Sequence, residues 1–311
     1  MEQYNKIEYL SNNDLKVFLK FIDSNWKKNH VFIKNIKIFE FQHKRKKGNY
    51  TFLISKSPKK KIESILGFIF CNKSKKSLWL AIWKTISKSG DGFRLLKKLI
   101  SITDPDFIGA IGISEDAIKI YKILGWNVES ADHYYLNLNY KGLRKNKLNF
   151  SYSKYELLSK IDRINIQDNT NYLPNKDLDY YIYRFNDHPS FKYIFIKLKE
   201  QNLLFIGRII KYLGFKVLRI VDVIGDLNEV KFKESLLKYM VDFDIDLIEM
   251  VMFDSSKPKI DMFLKSKKEI IPIYTNPFKH KNIKIELSYK INKKLPVRFF
   301  LGDSDQDRPN S

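Results

Sequence analysis

Residues 78–94 read LWLAIWKTISKSGDGFR and residues 117–126 read AIKIYKILGW, with the apolar segment 107–113 between them. The first stretch predicts a buried strand that leads through a glycine-bearing turn into a helix. Such a turn presents backbone N–H groups and the positive end of a helix to an anion such as a diphosphate. The second stretch predicts a helix carrying Tyr121, one strand further along the chain. Together they predict an α/β domain with an anion site at the turn and a phenol close to it.

The composition is that of a globular chain long enough for two cores. The chain has 311 residues, of which 44% are hydrophobic, so two domains are expected. No apolar run approaches the roughly 20 residues of a membrane helix, and the first residues lack the pattern of a signal peptide. Cys71 is the only cysteine, which excludes an internal disulfide and fits a reducing compartment. We therefore expect a cytoplasmic protein in which Cys71 is a buried, inert thiol.

The formal net charge of +22 comes mainly from lysines that are spread along the chain. The densest basic run, residues 44–47, precedes Gly48 and Asn49 and predicts a solvated hairpin tip. A dispersed positive charge favours small anionic ligands such as nucleotides. We do not expect nucleic acid as a partner.

The first half of the chain combines one clear helix with several extended segments. Leu15, Phe18 and Ile22 recur at helical spacing after residues 12–14, which can cap a helix. The other elements predicted here are strands at 31–41, 50–55, 65–71, 78–83, 107–113, 127–129 and 134–138, and helices at 92–102 and 114–125.

The second half repeats this order of elements without a residue-by-residue repeat. A polar connection with a short helix at 155–161 leads into strands at 191–197, 203–210, 217–224, 245–253, 270–274 and 283–289, and helices at 230–243 and 259–264. The predicted fold class is α/β (α+β), with two domains that each have a mixed, mostly antiparallel sheet flanked by helices. The predicted boundaries are 1–142 and 179–301 for the domains, 143–178 for the linker and 302–311 for a tail.

The residues of the first half resemble the GNAT superfamily of acyl-coenzyme A transferases, here in tandem. The family's turn pattern, Q/R-x-x-G-x-G/A, falls on residues 87–92, and its later alanine, tyrosine and Leu-Gly-aromatic pattern falls on residues 117–126. The chain departs from the family at Ser87, where an amide or guanidinium usually contacts the diphosphate. Lys88 offers a less specific point charge in its place. The motif resemblance covers about residues 30–140.

The resemblance implies that the first half binds acetyl-CoA or another acyl-CoA. The residues implied in cofactor binding are Trp83, Lys88, Ser89, Gly90, Asp91, Gly92, Phe93 and Arg94. An ordinary strand-to-helix turn remains the alternative interpretation of this segment. The corresponding turn of the second half, residues 225–229, has one glycine and two acidic residues, so we expect no coenzyme there.

Tyr121 is the candidate general acid, because a phenol within hydrogen-bond reach can protonate the thiolate that acyl transfer expels. A tyrosine that only packs its helix against the sheet is the alternative. Glu40 and His133 are candidate bases for the attacking amine, with Asp303 and Asp305 as further relays. A purely structural histidine is the alternative for His133.

The C-terminal segment, residues 302–310, resembles the ending of GNAT-like proteins encoded among surface-polysaccharide genes. This resemblance implies a sugar acceptor, most plausibly the amine of a nucleotide-linked amino sugar. The residues implied in acceptor binding are Arg184, His188, Asp303, Asp305, Asp307 and Arg308. His30, four residues after Trp26 near the end of the first predicted helix, is a further candidate for contact with the acceptor. Alternation in an extended tail would place its three carboxylates on one side. The resemblance favours a tail folded back between the two halves, with Arg308 pairing an acidic or phosphate group of the substrate, and a disordered acidic tail is the alternative. We expect no metal, since no glutamate follows at the spacing of a calcium loop.

Two other classes of function stay open. A Fem-type transferase, also a tandem GNAT fold, would take an aminoacyl group from tRNA, but the long charged helical hairpin of those proteins is not seen in the sequence. A GNAT-like protein without activity would bind a glycan or nucleic acid, and the departure at Ser87 is compatible with this second class.

Overall fold

A computed structural model of the chain describes residues 5–45, 48–87, 90–138, 155–162, 171–198, 202–212, 214–227, 231–269, 271 and 284–307. These residues form two compact units. The first unit contains the described residues up to Val128 together with Ser288–Lys294. The second contains those of Glu129–Leu287 together with Leu295–Asp307.

The first unit is built on a seven-stranded sheet. Its strands in chain order are β1 (Lys6–Ser11), β2 (Asn49–Lys56), β3 (Ile62–Phe70), β4 (Ser77–Thr85), β5 (Phe107–Ile111), β6 (Asn127–Ser130) and β14 (Glu286–Ile291). They are arranged in the order β1-β2-β3-β4-β5-β14-β6. Neighbours from β1 to β4 are antiparallel, and β4 and β5 are parallel.

Helices cover both faces of this sheet. They are α1 (Leu15–Asn25), α2 (Val31–Lys34), α3 (Ile36–His43), α4 (Asp91–Thr103) and α5 (Glu115–Ile123). Successive strand residues point to opposite faces, so Phe52 and Ile54 join a core with α1–α3, whereas Leu53 joins a core with α4 and α5. None of the helices in the described residues is long and apolar enough to cross a membrane.

The second unit is built on a second mixed sheet. Its strands are β7 (Asp132–Asn137), β8 (Glu156–Leu158), β9 (Ile194–Leu198), β10 (Leu203–Tyr212), β11 (Phe215–Ile224), β12 (Leu247–Asp254), β13 (Phe263–Leu264) and β15 (Arg298–Phe300). The order is β13-β7-β12-β11-β10-β9-β8, and β15 also pairs with β12. The described helices are α6 (Leu178–Tyr181), which continues as a π-helical turn, and α7 (Lys233–Asp242), which packs on the core. The predicted fold class is confirmed.

Both units contain the same irregularity, a β-bulge in the third of three consecutive antiparallel strands. In β4 one extra residue lies between the pairs Leu66–Trp83 and Phe68–Leu80. In β11 one extra residue lies between the pairs Ile206–Asp222 and Gly207–Ile220. An extra residue interrupts the hydrogen-bond ladder and bends the strand. β4 therefore bends where its parallel pairing with β5 ends, and β11 bends where its parallel pairing with β12 ends.

The chain passes between the units more often than the predicted boundaries allow. β14 completes the first sheet although it comes from residues 286–291, and β7 belongs to the second sheet although it precedes residue 142. Residues 156–158, placed in the linker, form β8 of the second sheet. The boundaries 1–142, 143–178 and 179–301 therefore need these corrections, because hydrophobic periodicity defines a strand but not its partner.

Several predicted elements were wrong. Residues 31–41, predicted as a strand, form most of α2 and α3. Residues 155–161 and 259–264, predicted as short helices, contain β8 and β13. β1 was not predicted. Most of the strand predicted at 270–274 lies outside the described residues.

We predict that two isoleucines of α3 differ sharply in their contribution to stability. Ile38 is fully buried and Ile36 is 38% exposed, whereas a strand would place both on one face. Ile38→Ala should lower the free energy of unfolding by about 2–5 kcal/mol, and Ile36→Ala by about 1 kcal/mol or less. Urea denaturation measures both, and equal losses would contradict the helical assignment.

Candidate functional site

Gly90 caps the N-terminus of α4 in a conformation that favours glycine. Its φ is +72°, in the left-handed region, where a side chain is strained. A Cβ added at Gly90 would meet no atom of the described residues within 4 Å, so these residues leave the space outside the turn open. α4 follows with 13 residues, which is long enough to carry a helix dipole. Lys88 and Ser89 lie outside the described residues.

β4 stops pairing with β5 shortly before this turn. The parallel pairs run from Ser77–Phe107 to Leu80–Ala110, and the bulge of β4 follows at once. From Trp83 to Thr85, β4 pairs with β3 on its other side. The backbone groups of this part of β4 that face away from β3 therefore have no partner in β5, and such groups need another partner or solvent.

Asp91 and Arg94, predicted to contact the cofactor, bind each other. The Asp91 carboxylate is fully buried and accepts hydrogen bonds from Asn5 Nδ2 (2.6 Å), Ser87 Oγ (2.8 Å) and Arg94 Nη1 (2.8 Å). Arg94 also donates to the Asn5 carbonyl (3.0 Å). These contacts fix the first turn of α4, and they neutralise the Asp91 charge within the protein. Sequence reasoning missed Asn5, because nothing local marks a partner 86 residues away.

Four aromatic side chains, Trp83, Phe93, Tyr121 and Trp126, form a cluster next to the start of α4. The Trp83 ring lies 5.8 Å from the Tyr121 ring and 6.2 Å from the Phe93 ring, and Tyr121 lies 4.8 Å from Trp126. Gly92 fits closely against them, since a Cβ there would lie 3.1 Å from Trp83 Nε1. The structure therefore places Trp83, Gly92, Phe93 and Tyr121, four of the residues predicted for cofactor binding or acid catalysis, close to one another.

Burial keeps the Tyr121 phenol neutral. Its side chain is 2% exposed, and removal from solvent raises the pKa of Tyr121. A neutral phenol can donate a proton or a hydrogen bond but is not itself a base. This protonation state is the one that a general acid requires.

Glu40 and His30 lie on the other side of the first sheet from Tyr121. Glu40 is on α3 and forms an ion pair with Lys44 (2.8 Å). His30 is buried before α2, where its Nδ1 accepts a hydrogen bond from the Phe32 N–H (3.3 Å). Both residues belong to the helical layer that contacts the core of α1–α3, whereas Tyr121 is in the core of α4 and α5. The structure does not bring Glu40 and His30 to the aromatic cluster.

His133 lies on β7 in the second unit and is held by two residues that the sequence analysis did not identify. Its Nε2 is 3.1 Å from Glu249 Oε2, and the other Glu249 oxygen accepts from Arg219 Nε. All three side chains are buried. They lie on three neighbouring strands, so their proximity depends on strand order.

The acidic tail is neither extended nor disordered as far as Asp307, and this corrects the expectation of three aligned carboxylates. Asp303, Asp305 and Asp307 are all buried in the second unit. Asp303 forms an ion pair with Lys176 (2.9 Å), and Asp307 binds Arg208 (2.8 Å) and the Tyr193 hydroxyl (2.7 Å). Asp305 accepts from the Gln306 side chain (3.1 Å). Arg308 lies outside the described residues.

Arg184 and His188, two of the residues implied in acceptor binding, lie in the second unit, and Arg184 contacts the start of this tail. Arg184 is buried and donates from Nε to the Gly302 carbonyl (3.2 Å). His188 is stacked on Phe191, and its Nδ1 accepts from the N–H groups of Ser190 (3.2 Å) and Phe191 (2.9 Å). Both side chains therefore have structural roles in the second unit.

The C-terminal chain occupies the place where β11 and β12 stop pairing. Their parallel pairs end at Ile220–Met250. β15 then pairs with β12 at Met252–Phe300, and the Gly302 N–H donates to the Val221 carbonyl (2.7 Å). In the second unit, β15 and Gly302 therefore pair with the strand ends that β11 and β12 do not offer to each other. In the first unit, the corresponding part of β4 has no partner in β5.

The described residues include no group of three or more His, Cys, Asp or Glu side chains arranged to hold a metal ion. The Cys71 side chain is buried.

We predict that His188 stays neutral well below its usual titration range. Burial, and then the neighbouring Arg184 charge, lower the pKa of His188 from 6.5 to about 4. The unfolded chain takes up this proton first, so the contribution of His188 to stability is full above pH 6.5 and is lost as the pH falls toward 4. The imidazole proton signals in a ¹H NMR titration should show a midpoint below pH 5.

His188→Asn is the control for this titration, because the amide oxygen can still accept from the Ser190 and Phe191 N–H groups. The variant should lack the assigned signal and should lose less stability between pH 6.5 and 4 than the native chain. A midpoint near 6.5 would contradict the burial of His188.

Comparison with known proteins gives relatives by structure only. No protein-family model and no curated protein sequence matches the chain. The chain is similar to a GCN5-related N-acetyltransferase from Anabaena variabilis (TM-score 0.55, 12% identity), with coverage of 92% of this chain and 72% of that one. It is also similar to an Enterococcus faecalis protein described as a probable N-acyltransferase (TM-score 0.56, 9% identity, 93% and 72% coverage). A third is a GCN5-related N-acetyltransferase from Kribbella flavida (TM-score 0.54, 8% identity, 92% and 70% coverage).

These similarities cover 92–93% of this chain, and so extend over both halves of it. At 8–12% identity they establish architecture and no residue role. The chain has the fold of the GCN5-related N-acetyltransferases.

Proposed function

We propose that the chain is an acyl-CoA-dependent N-acyltransferase that binds acetyl-CoA, or another acyl-CoA, in its first unit. The observation that carries this proposal is the open turn at Gly90, which lies just beyond the end of the β4–β5 pairing and in front of the Tyr121 cluster. This place in the fold combines the N-terminus of α4 with backbone groups of β4 that form no hydrogen bonds with β5.

The charges around the turn support an anionic ligand. The N-terminus of α4 favours phosphate groups, and the net charge of +22 raises the local concentration of anions. The Asp91 carboxylate would oppose them if it faced the ligand. It is fully buried and neutralised by Arg94, so its repulsion is weakened.

Acyl-CoA would supply an acyl group activated as a thioester. Trp83 and Phe93 would line the site beside the turn, with Gly92 allowing α4 to approach β4 closely. Tyr121, held neutral by burial, would donate its proton to the departing sulfur and regain one from the acylated amine. Transfer is then direct, with no covalent intermediate on the protein.

We propose an amino group of a sugar, most simply a nucleotide-linked one, as the acceptor, in cytoplasmic steps of surface-polysaccharide biosynthesis. The support is the resemblance of residues 302–310 and the position of Arg184 against Gly302. The carboxylates of Asp303 and Asp307 are engaged by Lys176 and Arg208, so we assign them to shaping the second unit. A single buried cysteine fits a reducing cytoplasm.

A GNAT-fold protein that binds ligand without catalysis is the second candidate. The observation in its favour is Ser87, which occupies the first motif position and donates to Asp91. Such a protein would bind a glycan or a nucleic acid and would release no thiol from acyl-CoA.

We predict that a charge at Gly90 weakens coenzyme binding. Gly90→Asp and Gly90→Asn have side chains of the same size and the same backbone cost, so their comparison isolates the charge. Calorimetry with acetyl-CoA should give micromolar binding for the native chain and at least about tenfold weaker binding for Asp than for Asn. Equal affinities for the two variants, or no binding by the native chain, would refute the site.

We predict that Tyr121→Phe lowers turnover roughly 100-fold and leaves the affinity for acetyl-CoA nearly unchanged. Thiol release measures turnover with a panel of amino sugars and nucleotide-linked amino sugars. Tyr50→Phe, a change of another buried tyrosine in the opposite core of the first unit, should keep full turnover. Unchanged turnover in Tyr121→Phe would remove Tyr121 from the mechanism.

A further inference from the structure

The helical layer α1–α3 of the first unit carries many lysines on its outer side. The exposed lysines of residues 15–43 are Lys16, Lys20, Lys27, Lys28, Lys34 and Lys37. None of these side chains forms an ion pair with a carboxylate in the part of the chain that the structure describes. The outer side of the layer is therefore positively charged.

The acidic side chains of this layer do not balance that charge. Residues 15–43 contain two of them, Asp23 and Glu40. Glu40 forms an ion pair with Lys44 (2.8 Å), and Asp23 accepts a hydrogen bond from the Asn29 N–H (2.8 Å). Asp23 is then the one carboxylate of residues 15–43 that is set against the six exposed lysines. The excess positive charge attracts an anionic partner from outside the layer.

Three apolar side chains of the same layer are exposed beside these lysines. Val17 is 50% exposed, Trp26 44% and Ile36 38%, and each is next to a lysine in the sequence. On α1, Lys16, Val17 and Lys20 share one face, because residues three and four apart are neighbours on a helix. A partner that matches this surface offers both negative charge and an apolar layer.

A membrane surface that contains anionic lipids offers both. Lysines are attracted to its headgroups, a tryptophan ring is suited to the boundary between water and lipid, and aliphatic side chains reach the start of the acyl region. Nucleic acid offers phosphates but no apolar layer for Val17 and Ile36. Its recognition also favours arginine, and residues 15–43 contain none.

We propose that the outer side of α1–α3 binds the surface of an anionic membrane, with its six exposed lysines at the lipid phosphates and Trp26 at the boundary. The contact is peripheral, since none of the helices in the described residues is long and apolar enough to cross a membrane. The layer lies on the opposite face of the first sheet from α4 and α5. The inference goes beyond the proposed function and does not depend on it.

The test is sedimentation of the full chain with vesicles of phosphatidylcholine, either alone or mixed with phosphatidylglycerol. The chain should bind the mixed vesicles only, and sodium chloride should release it, because salt screens exposed charges. Binding should also shift tryptophan emission to shorter wavelength. Trp26→Phe should remove this shift, since Trp79 and Trp126 are already buried. Absence of binding to the mixed vesicles, or of the Trp26 shift, would overturn the proposal.

A matched pair of variants locates the contact. Lys16→Gln/Lys20→Gln should weaken binding to the mixed vesicles at least about tenfold, since each lysine near an anionic surface accounts for roughly fivefold in affinity. Lys97→Gln/Lys98→Gln removes the same charge from exposed positions of α4 and should change binding by less than about twofold. Equal losses in the two variants would show attraction by net charge alone and would contradict a contact through α1–α3.

An RNA duplex is the competing ligand. Binding of the native chain to RNA, without binding to the mixed vesicles, would assign the α1–α3 surface to nucleic acid and overturn the membrane proposal. Calorimetry with acetyl-CoA is a separate measurement, in which Lys16→Gln/Lys20→Gln should match the native chain. Failure of coenzyme binding would concern the proposed function, whereas failure of vesicle binding would concern this surface.

Discussion

The extra residue in β4 is the constraint on which the candidate site depends. The pairing with β5 ends at Leu80–Ala110, next to this bulge, so the last backbone groups of β4 have no partner in β5. A sheet interior tolerates unpaired N–H and C=O groups poorly. The same bulge in β11 leaves backbone groups in the second unit that also need partners. There, β15 pairs with β12, and the Gly302 N–H donates to the Val221 carbonyl. The same bulge thus has two outcomes: in the second unit the chain itself supplies the partner, and in the first unit the position is the one where we propose that coenzyme binds.

The buried charges of the second unit form a network and not a set of isolated pairs. Glu249 links His133 and Arg219 across three strands, and Asp307 binds Arg208 on the next strand. Pairs buried to this degree add little net stability, since desolvation offsets most of the attraction. They do make wrong arrangements costly, because each displaced partner leaves a buried charge alone. The network therefore specifies strand order and the path of the C-terminal chain.

Sequence reasoning reached the fold class, and it located the turn and the tyrosine helix of the candidate site, because these elements depend on local signals. The apolar strand before Ser87, the left-handed Gly90 and the helix with Tyr121 are each encoded within a few residues. The failures share a different origin. Residues 31–41 have apolar positions that fit either period, and packing of Ile38 and Phe39 into a helical layer decided between them. Asn5 at Asp91, Glu249 at His133 and β14 in the first sheet depend on contacts between distant residues, which no local pattern contains.

β14 comes late in the chain but belongs to the first sheet, whereas β7 comes early but belongs to the second. This arrangement has a consequence for folding during synthesis. A ribosome delivers β5 and β6 long before residues 286–291, so the slot between these two strands stays open while most of the chain is made. Contacts of such large sequence separation form late and slowly, and an unfilled strand position invites pairing with foreign segments. Truncation anywhere before Ile291 would leave the amino-terminal sheet incomplete, and maturation of the proposed coenzyme pocket would await synthesis of residues 286–291.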